Sequence, residues 1–102
     1  MTNSEEKILI IVPTYDEAEN ILPLVNGIMS VVPFVHILFV DDNSQDGTRD
    51  KITDVSISFP DKISILEREG KMGLASAYIA GFQWGLNKDF KWICEMDADL
   101  SH

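Results

Sequence analysis

The segment HILFVDDNS, residues 36–44, decides the fold: an unbroken apolar run, Ile37 to Val40, ends abruptly in two carboxylates and two turn-forming side chains. A strand with one wet face alternates apolar and polar residues, whereas a continuous run of this length suits a strand covered on both faces of a parallel sheet. Asp41, Asp42, Asn43 and Ser44 stop it with residues that favour turns and caps. Upstream, KILIIV at residues 7–12 repeats the signature and is closed by Pro13. Between the two runs, Ile21, Leu22, Leu24, Val25 and Ile28 recur at helical spacing from Glu17 onward. Asp16, Glu17 and Glu19 lie where a helix start favours negative charge, and the helix is expected to end near Pro33.

Downstream, a second helix is expected from about Asp46-Gly47-Thr48, although Ile52, Val55 and Ile57 in a Thr/Ser-rich context read equally as extended chain; Pro60 ends either form. KISIL, residues 62–66, reads as a third strand, followed by a charged, glycine-bearing loop over residues 67–73. A helix from Leu74 to about Leu86 fits the small and aromatic series Ala77, Tyr78, Gly81, Phe82 and Trp84. KWICEM, residues 91–96, is a fourth strand that delivers Asp97-Ala98-Asp99 at its carboxyl end. Alternating strands and helices predict an α/β, Rossmann-like domain with a mainly parallel sheet and flanking helices. Right-handed crossovers make 3-2-1-4 the expected strand order. Ligands of such sheets sit beyond the carboxyl ends of the strands where the winding reverses, here between the first and fourth strands. The polar clusters fall at those ends: residues 14–17, Asp41-Asp42, and residues 97–101.

Composition narrows the function classes. With 102 residues and 45% hydrophobic content the chain fits one small folded domain without a linker or internal repeat. Eight basic against 17 acidic residues give a net charge of −9, which argues against a nucleic-acid surface or a polybasic membrane anchor. A phosphate-bearing partner has to be held against that repulsion, and a divalent cation does this locally; the same acidic excess also serves plain solubility. Cys94, the single cysteine, sits in the apolar run Trp92-Ile93-Cys94 and reads as a buried small hydrophobe. The polar, acidic residues 1–7 do not resemble a signal peptide, so the domain is expected to begin in the cytoplasm. The apolar stretch 21–40 is interrupted by Pro23, Asn26, Pro33 and His36 and reads as helix, turn and strand, not as a membrane span.

Residues two apart in extended chain point the same way, so Asp97 and Asp99 can present two carboxylates to one point across the small Ala98. Oxygen donors of this kind suit Mg2+ or Mn2+, which keep waters and take further ligands from substrate phosphates; a solvated strand end explains the same pair. Of Asp41 and Asp42, one can face the pocket while the other caps the following segment, or both can satisfy turn backbone. Pro13-Thr14-Tyr15 offers a fixed turn and a ring able to line a base pocket, or a ring that is simply half-buried. Arg68, Lys71 and Gly73 precede a helix start and can attract phosphate, with Glu67 and Glu69 diluting the effect; a solvated loop is the alternative. His36 reads as structural, His102 has no downstream context, and Phe82, Trp84 and Trp92 read as core and not as a sugar platform.

Together IIVPTYDEAENI, ILFVDDNSQDGT, REGKMGLASAYIAGF and MDADLSH, in order from residue 8 to residue 102, resemble glycosyltransferase family 2, specifically its dolichyl-phosphate (polyprenyl-phosphate) mannosyltransferase group. The resemblance implies a GT-A fold, a nucleoside diphosphate sugar donor with GDP-mannose favoured, a divalent metal (Mg2+ or Mn2+), inversion at the anomeric carbon, and a polyprenyl-phosphate lipid acceptor at the cytoplasmic face of a membrane. It further implies that Pro13, Tyr15, Glu17, Val40 and Asp42 line the nucleoside site, that Asp97, Ala98, Asp99 and Ser101 surround the diphosphate, and that Asp97 and Asp99 hold the metal. Asn43-Ser44-Gln45-Asp46 and Ala75-Ser76 depart from the commonest family pattern without removing any of these residues. Ser101 stands where some relatives carry Gln, which suits a water-mediated contact. Residues 1–102 are thus expected to be the N-terminal, nucleotide-sugar-binding part of a longer domain, inactive in transfer by itself and prone to self-association through uncovered apolar surface. Two rival readings are a phosphoacceptor receiver, in which Asp97 is phosphorylated, and a catalytically silent nucleotide-binding module. Against the receiver, a full strand and helix precede Asp41-Asp42, and no Lys-bearing strand follows Asp97.

Overall fold

The computed structural model describes residues 8–70 and 73–98. Seven elements alternate along the chain: β1 (Ile8–Thr14), α1 (Ala18–Val31), β2 (His36–Asp42), α2 (Thr48–Ser58), β3 (Ile63–Arg68), α3 (Leu74–Asn87) and β4 (Trp92–Glu95). The four strands form one sheet in the order β3-β2-β1-β4, with every neighbouring pair parallel. The expected topology is therefore present. The segment that read both ways, residues 48–58, is helical, and Ile52 and Val55 on one side of it are buried in the core.

The side chains of the two central strands divide between the faces. Ile10 and Val12 of β1 with Ile37 and Phe39 of β2 pack under α1 and α2, against Ile21, Leu24, Val25, Ile28, Ile52 and Val55. Leu9, Ile11, Leu38 and Val40 point to the opposite face and pack with Ala77 of α3. Both faces are thus dry, which is why these strands lack alternation. The winding reverses after β3, because α3 crosses on the other side and returns the chain to β4 beside β1.

Three strands reach further than expected. β1 runs through Pro13 to Thr14, β2 takes in Asp41 and Asp42, and β3 continues to Arg68. Their polar ends stay in register, with Thr14 opposite Asp41 and Asp42 opposite Arg68, because these side chains bond to one another across the strands. Pro23 lies inside α1; its missing N–H forgoes one helical hydrogen bond.

Three expected core residues are corrected. Cys94 is exposed, as is Trp92 (60%), because β4 pairs only with β1 and α1 lies over the centre of the sheet, leaving that face of the edge strand uncovered among the described residues. Phe82 (47% exposed) lies on the outer side of α3. Trp84 does pack inward, stacked on His36 and Phe90 with ring centroids 5.9 and 6.1 Å apart. His36 is structural as expected: its ring bonds Ser64 Oγ at 2.8 Å and the Asp61 carbonyl at 3.2 Å, tying β2 to β3 at their start. Burial pushes the His36 pKa down, partly offset by the Asp61 carbonyl. An apolar groove of about 290 Å³, lined by Ile10, Leu24, Ile28, Val31, Val32 and Met96, opens between α1 and the β1–β4 edge. No described helix is long and apolar enough to cross a membrane.

Helix α3 approaches β1 closely because Gly81 and Gly85 face it. A Cβ on Gly81 would stand 2.7 Å from Cγ2 of Ile11, a fully buried strand residue with a stiff branched side chain. Gly27, on the exposed side of α1, has nothing within 4 Å of the same position. Two glycine-to-alanine changes should therefore act in opposite directions in urea unfolding. Gly81→Ala is expected to destabilise by roughly 1–3 kcal/mol through overpacking. Gly27→Ala is expected to stabilise by about 0.5–1 kcal/mol through helix propensity.

Candidate functional site

The carboxyl ends of β1 and β2 carry adjacent residues to opposite faces of the sheet. Asp42 follows Val40 to the α3 side, and Asp41 follows Phe39 to the side of α1 and α2. This single alternation gives the two acidic residues different environments.

Asp41 is fully buried. Its Oδ1 accepts from Thr14 Oγ1 and Ser44 Oγ, each at 2.6 Å, and its Oδ2 accepts from the Ser44 N–H at 2.9 Å. Arg49 Nε stands 3.3 Å from Oδ2, and the same guanidinium bonds Glu67 at 2.9 Å and Asn43 Oδ1 at 2.8 Å. A buried charge is tolerated when it is paired and its lone pairs are filled, and Asp41 meets both conditions. It is a structural clamp between the end of β1 and the loop after β2.

Asp42 receives a two-pronged contact from Arg68: Nε to Oδ1 at 2.7 Å and Nη2 to Oδ2 at 3.0 Å. Arg68 Nη1 also donates to Ser76 Oγ at 2.8 Å, and Nη2 approaches the Gly73 carbonyl at 3.5 Å. One guanidinium thus fastens the end of β2 to the first turn of α3. Arg68, expected to attract phosphate from a loop, is instead the last residue of β3 and is committed to these partners. Gly73 permits the approach with φ of +96°, a conformation that L side chains rarely adopt.

A cavity of about 260 Å³ lies between these parts, lined by Pro13, Thr14, Tyr15, Glu17, Asp42, Gly73, Leu74 and Ala77. Four of the residues implicated from sequence, Pro13, Tyr15, Glu17 and Asp42, meet there. Val40 does not reach the cavity surface: its side chain is fully buried beneath α3, as the alternation after Leu38 requires. Ala98 also turns inward, joining the core on the α1 side. Sequence reasoning missed Leu74 and Ala77, which enter only because Arg68 holds the start of α3 over the strand ends. Their helical signal was visible, but its partner was not.

Asp97 is exposed at the end of β4, placed there by the Met96 N–H bond to the Ile11 carbonyl at 3.0 Å. Tyr78 of α3 donates its hydroxyl to Asp97 Oδ1 at 3.3 Å. Burial first, then the Asp97 charge, pushes the Tyr78 hydroxyl up to about 12. Asp99 and Ser101, like Lys71 and His102, lie outside the described residues. Among the described residues no three His, Cys, Asp or Glu side chains group closely enough to hold a metal. The oxygen donor of Asp97 fits Mg2+ or Mn2+ as one ligand of an open site that is completed by further oxygens and by phosphates.

The Asp42–Arg68 pair makes a direct prediction. Both side chains are largely buried, at 8% and 11% exposure, so removing one partner leaves the other uncompensated. Arg68→Ala is expected to cost on the order of 3 kcal/mol in urea unfolding. Arg68→Lys should recover only part of this, because an ammonium cannot reproduce the two-pronged geometry. A loss below about 0.5 kcal/mol, the ordinary value for an exposed pair, would contradict the assignment.

Comparison with known proteins agrees with this architecture. Residues 9–102 match the glycosyl transferase family 2 domain. The polyprenol monophosphomannose synthase of Mycolicibacterium smegmatis is 43% identical over 97 residues, covering 95% of this chain and 37% of that protein. The undecaprenyl-phosphate mannosyltransferase of Micrococcus luteus is 45% identical over 97 residues, covering 94% and 39% respectively. The chain thus spans less than two-fifths of the length of these curated relatives. Among solved structures, a mannosyltransferase from Pyrobaculum calidifontis in complex with GDP-Man and Mn2+ superposes with a TM-score of 0.80 at 25% identity, over 91% of this chain and 27% of that one. A sheet of order 3-2-1-4, a cavity at its carboxyl ends and these matches lead to one assignment: the chain belongs to glycosyl transferase family 2.

Proposed function

We propose that this chain supplies the nucleoside diphosphate sugar half of a polyprenyl-phosphate mannosyltransferase, with GDP-mannose as donor and a polyprenyl phosphate at the cytoplasmic face of a membrane as acceptor. The observation that carries the reading is the meeting of Pro13, Tyr15, Glu17 and Asp42 around one cavity at the strand ends. The names of the relatives and the GDP-Man and Mn2+ of the structural neighbour support the choice of donor, metal and lipid acceptor. Family membership also favours this reading over a phosphoacceptor receiver.

In the proposed reaction a lipid phosphate oxygen attacks the anomeric carbon of mannose. The bond from that carbon to the diphosphate oxygen breaks, and its electron pair leaves with GDP. Tyr15 contributes an aromatic surface to the nucleoside cavity and Asp42 contributes acceptor oxygens for base or ribose hydrogens. Asp97 serves the diphosphate in this scheme, and the family pattern assigns Asp99 and Ser101 to the same role, while Ala98, buried in the core, is the spacer between the two carboxylates. A bound Mg2+ or Mn2+ supplies positive charge opposite the departing diphosphate. Asp97 and Asp99 bind in this scheme and do not act as general bases. The acidic chain, with a net charge of −9, would otherwise repel such a ligand.

Calorimetric titration of GDP-mannose with and without Mn2+ tests the reading. The wild-type chain is expected to bind at least tenfold more tightly with Mn2+, about 1.4 kcal/mol. Asp97→Ala and Asp99→Ala should each abolish that increment while keeping the metal-independent part. The same Mn2+ increment in both variants would reject the metal role, and no binding by the wild-type chain would reject the nucleotide role.

A further inference from the structure

The loop that brings Tyr15 and Glu17 to the cavity is held in part from a distant segment of the chain. Glu17, the N-cap of α1, makes no side-chain cap bond, and Asp16 just before it has φ of +54°, in the left-handed region that non-glycine residues rarely occupy. Such a conformation persists only where neighbouring groups hold it. Among the described residues, three side chains that bond this loop's backbone come from the loop between β2 and α2 and from the first residue of α2. Ser44 Oγ accepts from the Asp16 N–H at 2.8 Å, Thr48 Oγ1 from the Glu17 N–H at 2.8 Å, and Asp46 Oδ2 from the Ala18 N–H at 3.2 Å. In return Asp16 Oδ1 accepts from the Gln45 N–H at 2.7 Å. Helix α1 is therefore capped by residues 28 and 31 positions further along the chain.

Thr48 is the centre of this arrangement. It is fully buried, its hydroxyl donates to Asp46 Oδ1, and its own N–H donates to the same oxygen at 3.0 Å. The Asp46 carboxyl is held below its usual range, chiefly by the Thr48 hydroxyl. Neither Thr48 nor Asp46 lines the cavity. Tyr15 and Glu17 do, and the backbone between them is the segment these two residues fix.

From these contacts we infer that Thr48 and Asp46 are positioning residues for the donor site: they fix the strained Asp16 turn, and with it the Tyr15 and Glu17 walls of the cavity, before ligand arrives. The inference rests on the donor-site reading above. Preorganisation of this kind shows in affinity, because a loop that must order on binding subtracts its ordering free energy from the interaction.

The test measures Kd for GDP-mannose by calorimetry, together with Tm, on the wild-type chain and a set of variants. Thr48→Val keeps the shape and removes the acceptor for Glu17 N–H; it is expected to raise Kd about tenfold. Thr48→Ser restores the hydroxyl and should return Kd to within about twofold of wild type. Asp46→Ala, at an exposed side chain, should weaken binding in the same direction even if Thr48→Val fails to fold. Val55→Ala, in the core face of the same helix and outside the cavity, is the control: it should lower Tm without moving Kd. Unchanged Kd in Thr48→Val and Asp46→Ala overturns the positioning role alone. A rise in Kd in Val55→Ala equal to theirs also overturns it, since any loss of stability would then suffice. Absence of binding by the wild-type chain overturns the donor-site reading and the role together.

Discussion

The buried carboxylate of Asp41 is the constraint on which the rest of the site depends. A charge with no solvent exposure has to be met by donors and a counter-charge, and the chain meets it with Thr14, Ser44 and Arg49. These partners come from the end of β1, the loop after β2 and the first turn of α2. Satisfying one carboxylate therefore brings three segments to fixed positions at the carboxyl edge of the sheet. Ser44 then reaches on to Asp16 and Thr48 to Glu17, so the order imposed at Asp41 is handed to the loop before α1.

Asp42 owes its different role to strand geometry. One step along β2 turns its side chain to the α3 side, where Arg68 grips it and carries the start of α3 along through Ser76. The two acidic residues thus anchor opposite walls of one cavity, Asp41 through the β1–α1 loop and Asp42 through α3. Asp97 lies just beyond β4, outside the residues that line the cavity, and is linked to the same helix by Tyr78. The global charge of the chain opposes an anionic ligand, so the neutralisation of Asp41 and Asp42 by two arginines keeps those carboxylates from adding to the repulsion at close range.

Much of the fold was legible because the physics that sets it is local. Ile37 to Val40 and the run ending at Val12 are long enough to need cover on both faces, and that requirement with right-handed crossovers leads to the order 3-2-1-4. The positions of Pro13, Tyr15, Glu17 and Asp42 followed from strand ends and from the family pattern. What could not be read is tertiary. Val40 counts as a strand-end residue in sequence, yet the pleat sends it into the core. Cys94 and Trp92 look like core in an apolar run, but an edge strand covered on one face leaves them exposed. The caps of α1 lie so far along the chain that no local pattern announces them, and Arg68 looked available for phosphate until its partners on β2 and α3 were in place.

The central claim is that the loops at the ends of β1, β2 and β4, with the start of α3, form one donor site. Backbone amide shift mapping of the 15N-labelled chain tests it most directly, with GDP-mannose added first and Mn2+ second. The account predicts nucleotide-induced shifts concentrated in residues 14–17, 41–48 and 73–78, followed by paramagnetic broadening by Mn2+ centred on Asp97 and its neighbour Tyr78. Shifts centred instead on the apolar groove between α1 and β4, or broadening spread over the acidic surface without a maximum at Asp97, would contradict it.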